Sequence, residues 1–166
     1  MKLRARPLSA ERFAPFGAVV AAEGLASVRV NEGRGLRFNT GLALAHYTCA
    51  AAPTLALYRL EPSALPVSVG LLERHPLSAQ LFLPLHAGRY LIAVAPALPG
   101  GGPDTGAALA FIAEAGQGVL YRPGVWHAPL IALDAASDFA MMMYEDGGPQ
   151  DCVTQALDAP LVIAAS

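Results

Sequence analysis

The sequence predicts an all-β chain folded as a closed barrel or a sandwich, and three observations lead there. The 16 Gly and 14 Pro of the 166 residues are spread over most of the chain and cut it into short segments, which suit strands better than long helices. Nine of those segments read as strands. None of the intervals between them has βαβ spacing, so closure or face-to-face packing is what would shield the strand edges.

In chain order, Ser9 can cap a short helix through Arg12 and Phe13, with Glu11 in its first turn and Pro15 and Gly17 ending it. Strands are expected at 18–22, 42–47, 55–60, 67–73, 80–83, 90–95, 118–121, 130–133 and 139–144. A second helix is expected from Asp104, through Ala107 and Ala108, towards Phe111, although 111–113 reads equally well as strand. The Gly/Pro-rich stretch 96–106 divides the chain into two sets of strands and reads as a loop, not a domain boundary. With no internal repeat and no low-complexity linker, residues 1–166 read as one domain.

Composition narrows the class. Hydrophobic residues make up 54% and charged residues 14%, the reverse of a disordered chain. The net charge is −2 and the 11 Lys plus Arg are scattered along the sequence, so no nucleic-acid partner is expected. Mean hydropathy is +0.43, yet Pro, Gly or a charge interrupts every apolar stretch well before the ~20 residues of a membrane span. No apolar run follows the basic residues of the N-terminus, so the expected compartment is the cytoplasm. Cys49 and Cys152, far apart and without metal-type spacing, read as reduced, half-buried thiols.

Two stretches carry chemistry. On a strand, residues two apart share a face, so Glu73 and His75 point one way and Arg74 the other, where it would serve as an ion-pair partner. After the turn begun by Pro76, Gln80 can bring an amide oxygen to the same pair. In Tyr121-Arg122-Pro123-Gly124-Val125-Trp126-His127, a Pro-Gly turn aims a histidine in a fixed direction. His46 and His86 lack any such constellation and read as structural or exposed, and Met141 to Met143 read as a packed strand.

These two pieces resemble the paired motifs of the cupin superfamily, a small β-barrel. The first motif, His-x-His, three or four residues, Glu, six residues, Gly, corresponds to Glu73-x-His75, four residues, Gln80, seven residues, Gly88. The second, Pro-x-Gly-x-x-His, corresponds to Pro123-Gly124-x-x-His127. The order of motifs over essentially the whole chain is similar to that of the ureidoglycolate lyase family of allantoin catabolism. Leu72-Glu73-Arg74-His75-Pro76-Leu77 with Gln80-x-Phe82-x-Pro84, and Val125-Trp126-His127-x-Pro129-Leu130, are the specific words. Phe13-x-x-Phe16-Gly17, Asn31-x-Gly33 with Arg37, Arg59, Pro103-Asp104, Gln117-Gly118-Val119-x-Tyr121 and Asp138-Phe139 add to them by their order. The chain departs from the family at Glu32, where many members have Asn, and at Ala140 to Glu145, where many carry an Asp-Arg pair.

The resemblance implies a cupin-type β-barrel that cleaves ureidoglycolate, a hemiaminal, to glyoxylate and urea, and it implies a homodimer. Glu73, His75, Gln80 and His127 would converge as ligands of a divalent metal, nickel first, with Mn, Fe and Zn compatible with the same N/O donors. Glu73, His75 and His127 would carry the catalysis, with the proton carrier left open. Asn31, Arg37, Arg59, Tyr121 and Trp126 are candidate contacts to a small ureido acid. Each also has a plainer reading: a turn for Asn31, surface ion pairs for the arginines, core packing for the two rings. The rival functions are a hydrolase releasing ammonia from the same substrate and a non-catalytic small-acid-binding cupin.

Overall fold

The computed structural model describes residues 1–47, 49 and 52–166. Its strands are β1 (Lys2–Pro7), β2 (Gly17–Val20), β3 (Ser27–Val30), β4 (Gly35–Phe38), β5 (Ala52–Leu60), β6 (Val67–Arg74), β7 (Gln80–His86), β8 (Tyr90–Ala95), β9 (Leu109–Ala113), β10 (Gly118–Tyr121), β11 (Trp126–His127), β12 (Ile131–Ala132), β13 (Ser137–Glu145) and β14 (Val153–Ala165). One short helix, α1 (Ala10–Phe13), and 3-10 turns at Asn31–Gly33 and Thr105–Ala107 complete it.

One sheet runs β11-β6-β14-β1-β9-β8-β12, and because β11 also pairs with β8, six of its strands close into a ring. A second sheet runs β2-β10-β7-β13-β5, and β3 and β4 form a hairpin of their own. Strand alternation gives β8 two jobs. Tyr90, Ile92 and Val94 pack into an aromatic core shared with Phe82, Val119, Tyr121, Phe139, Met141 and Met143 of the second sheet. Leu91, Ala93 and Ala95 point the other way, into the closed ring, with Leu72, Trp126, Leu161 and Ile163.

The four-residue α1 is too short to persist by itself. Its Ser9 cap accepts from the Arg12 amide at 3.4 Å, and Phe13 is fully buried between Phe111 and Tyr121, with ring centroids 6.0 and 5.8 Å away. Burial of that ring contributes about 1.5–3 kcal/mol, enough to fix the helix where its propensity cannot.

Several expectations give way to tertiary pairing. Segment 42–47 forms no strand; only His46 makes a bridge, to Ser78, and Leu42 and Ala43 lie beside Leu120 at the second sheet. The helix expected from Asp104 is a single 3-10 turn, capped by the Asp104 carboxylate on the Ala107 amide at 3.3 Å. From Leu109 the chain is strand, held between β1 and β8. Strands β1, β3, β4, β11 and β14 lie outside the expected set. In β14, Pro160 falls where the register with β6 shifts, between Ala156 and Leu161, so its missing N–H interrupts no ladder. Both cysteines are exposed rather than half-buried.

Candidate metal centre and active site

Antiparallel pairing places Glu73 of β6 directly opposite His127 of β11, so the two side chains stand on one face, towards the aromatic core. His75 lies two residues beyond Glu73, and its carbonyl accepts from the Gly124 amide at 2.9 Å. That bond seats the Pro123-Gly124 turn against the end of β6. Gly124 takes φ 77 there, a left-handed conformation that glycine adopts without strain. The result brings ligand atoms of Glu73, His75 and His127 within 4.8 Å of one another. The two imidazoles are 6% and 1% exposed, deep enough that an unpaired nitrogen matters.

Each imidazole is locked through its Nδ1. His75 Nδ1 donates to the Asp151 carbonyl at 2.6 Å, and His127 Nδ1 donates to the Val125 carbonyl at 2.9 Å. Both Nε2 atoms therefore face the interior. The Nε2 of His75 is buried without a partner among the described residues. That of His127 meets two acceptors, Gln80 Oε1 at 3.1 Å and Glu73 Oε1 at 3.6 Å. A nitrogen lone pair surrounded by oxygens is satisfied by a cation, either a proton on His127 or a metal ion shared by the cluster. Two imidazoles, a carboxylate and an amide oxygen form a donor set that fits a divalent transition metal, with backbone carbonyls orienting both rings.

The titration directions agree with that geometry. Burial raises the Glu73 carboxyl, but the hydrogen bond and charge of His127, and the charge of His75, outweigh it and hold the group below the ordinary carboxylate range. Burial and the neighbouring His127 push His75 below its ordinary value, keeping it neutral as a ligand must be. Tyr121, at 1% exposure, stacks on the His127 ring with centroids 4.1 Å apart and an 11° tilt. Its hydroxyl has no partner among the described residues, and burial, reinforced by Tyr90 and Glu73, holds its proton on.

The structure separates the remaining sequence candidates from this centre. Trp126 precedes His127 on a strand and so points to the opposite face, into the ring, where its Nε1 donates to the Gly101 carbonyl at 2.9 Å. Arg74 does face away from His75, but it stacks over Trp126 at 4.8 Å and makes no ion pair among the described residues. Arg59 is on the outer face of β5, 77% exposed at its side chain and paired to Asp138 at 2.8 Å. Asn31 and Arg37 are exposed on the β3–β4 hairpin, which packs mainly on itself. Gln80, by contrast, is 3% exposed and in the cluster.

Sequence reasoning missed three contributors. Tyr58, on the inner face of β5 next to Arg59, meets Phe82 edge-on at 5.4 Å, and burial together with Glu73, Glu145 and Cys152 raises its hydroxyl. Met143 receives the Gln80 amide at its sulfur, 3.8 Å away. The Cys152 thiol lies 3.9 Å from Glu73 Oε2. Only strand register and the 146–152 loop bring these residues to the cluster. The alternation of β5 and β13 was the one available signal.

Comparison with known proteins adds to the geometry. A family profile described as Ureidoglycolate lyase matches residues 1–164. A ureidoglycolate lyase of Burkholderia cepacia is 45% identical over 149 residues, covering 89% of this chain and 81% of its own. One from Pseudomonas syringae pv. syringae is 36% identical over 141 residues, covering 85% and 82%. Among solved structures, a dTDP sugar isomerase from Desulfovibrio desulfuricans superposes with a TM-score of 0.54 at 16% identity, over 87% of this chain and 88% of that one. The likeness is one of fold, and the fold is the cupin-type barrel that the motifs implied.

Proposed function

We propose, for a chain that belongs to the ureidoglycolate lyase family, that Glu73, His75 and His127 form the centre at which the substrate is cleaved. The chain is a carbon–nitrogen lyase that converts ureidoglycolate to glyoxylate and urea. The observation that supports this placement is the unpartnered, buried Nε2 of His75 facing Glu73 and His127. Residues 1–166 act as one domain in this reading.

The bond to be broken joins the carbinol carbon to a urea nitrogen. The hydroxyl on that carbon loses a proton as the C=O of glyoxylate forms, and the departing nitrogen gains one. Bound by Glu73, His75, His127 and Gln80, a divalent ion would supply Lewis acidity that lowers the pKa of the substrate hydroxyl. Nickel is the ion proposed, with Mn, Fe or Zn suited to the same donors. Tyr121 walls the pocket by stacking on His127 and offers its protonated hydroxyl to the substrate. Tyr58, packed edge-on against Phe82 and also held protonated, is a second hydroxyl donor on the inner face of β5. The aromatic core behind these groups excludes water that would otherwise divert the chemistry to hydrolysis.

The protein is proposed to work in the cytoplasm as a homodimer. Among the described residues, no helix is long and apolar enough to cross a membrane. Leu55 and Leu57 are 67% and 75% exposed on the edge strand β5, an apolar surface that a second copy would cover.

The test is incubation of purified protein with freshly prepared ureidoglycolate, with and without added divalent metals. Glyoxylate, urea and ammonia are quantified against spontaneous decay. Equal amounts of glyoxylate and urea without ammonia are expected, and the rate is lost in His75→Ala and His127→Ala. Ammonia release, or full activity in either variant, overturns the reading.

A further inference from the structure

The scatter of cations in the sequence hides a local concentration in the fold. Lys2, Arg4 and Arg6 alternate along β1, so all three project from one face while Leu3 and Ala5 point inward. Arg12, in α1, joins them around a groove of about 360 Å³ whose floor includes Leu109 of β9. Four of the chain's 11 cations thus line one groove on a protein of net charge −2. None of the four lies within 4.0 Å of a carboxylate among the described residues, whereas Arg34, Arg59 and Arg89 are each paired. Strand β1 lies across the six-stranded ring from β11, which carries His127, so the groove is separate from the Glu73 centre.

We propose that this groove binds a small multivalent oxyanion with an apolar portion, of the phosphate-ester or polycarboxylate kind. The guanidinium forks of Arg6 and Arg12 match the paired oxygens of such groups; Arg4, whose Nη1 donates to the Ala165 carbonyl at 3.2 Å, and Lys2 add positive charge. Leu109, 38% exposed, offers apolar surface for the uncharged part. The volume falls in the range of small-ligand sites, too small a footprint for a duplex, whose recognition needs a longer basic track.

Calorimetric titration of the full chain with pyrophosphate, ADP and citrate tests the proposal, with Arg6→Glu/Arg12→Glu as the groove variant. Arg29→Glu/Arg34→Glu carries the same charge change on the hairpin and serves as control, and melting curves confirm that both remain folded. Saturable binding of at least one probe is expected, weakened at least tenfold in the groove variant, unchanged in the control and diminished by added salt. Preference for ADP and pyrophosphate over citrate assigns phosphates, preference for citrate assigns polycarboxylates, and equal binding assigns polyanions generally. No saturable binding, equal loss in the control, or tighter binding of a DNA duplex than of ADP overturns it.

Discussion

The Asp151 carbonyl accepts a 2.6 Å hydrogen bond from His75 Nδ1, and the same residue's carboxylate anchors the loop that presents that carbonyl. Asp151 Oδ1 and Oδ2 accept from the Asp146 and Gly147 amides at 3.0 and 2.7 Å. The loop therefore sets the tautomer and aim of a proposed metal ligand. Asp151→Ala removes the anchor without touching any ligand. Outer-shell losses of this kind weaken metal binding about 10–100-fold, and equilibrium dialysis against Ni²⁺ or Zn²⁺ is the measurement. Unchanged affinity would show that His75 is held by other means.

Glu73 and His75 move stability the same way with pH. His75 titrates lower in the folded chain than its ordinary value near 6.5, so below that pH the unfolded chain binds a proton that the folded chain refuses. Stability falls with acidification from there down to the folded value. Glu73 also titrates below its ordinary value, and its contribution, full above that value, is lost as pH falls through the folded one. Each group adds a slope of up to about 1.4 kcal/mol per pH unit. Urea unfolding of metal-free protein from about pH 8 to pH 4 should show the decline beginning below pH 6.5. His75→Gln should lack that upper limb, and a flat profile in the wild-type protein would contradict the assigned direction.

The clustering of Glu73, His75 and His127 was legible because it depends on local geometry. Glu73 and His75 obey strand alternation, and Pro123-Gly124 before His127 is a turn with a mechanism. The same rule, applied one residue further, would have removed Trp126 and Arg59, each adjacent to a residue that faces inward. What stayed hidden depends on which strands meet. Met143 reaches Gln80 only because β13 pairs with β7, and β14, absent from the expected strands, is held on both sides by β6 and β1. Strand preference of this kind belongs to the neighbours rather than to the segment.

Trp126 and Arg59 offer a direct check on that separation. Trp126→Phe removes the hydrogen bond to Gly101 and weakens the Arg74 stack, which together cost about 1–2 kcal/mol of stability. KM for ureidoglycolate should stay within twofold of wild type in Trp126→Phe, and likewise in Arg59→Ala. A raised KM with an unshifted melting temperature would place the altered side chain in the pocket after all.

The outer face of the five-stranded sheet bears on assembly. Register puts Leu55 beside Met142 and Leu57 beside Ala140, so the apolar surface of β5 continues onto β13 until the Arg59–Asp138 pair ends it. Both leucines project to solvent from a strand unpaired on one side. In a monomer, Leu57→Lys is a surface change worth less than about 0.5 kcal/mol. In a dimer closed through this face it buries two unpaired charges by symmetry. Sedimentation velocity at micromolar concentration should give a dimer for the wild-type chain and a folded monomer for Leu57→Lys. A wild-type monomer, or a variant that still dimerises, would move the interface away from β5.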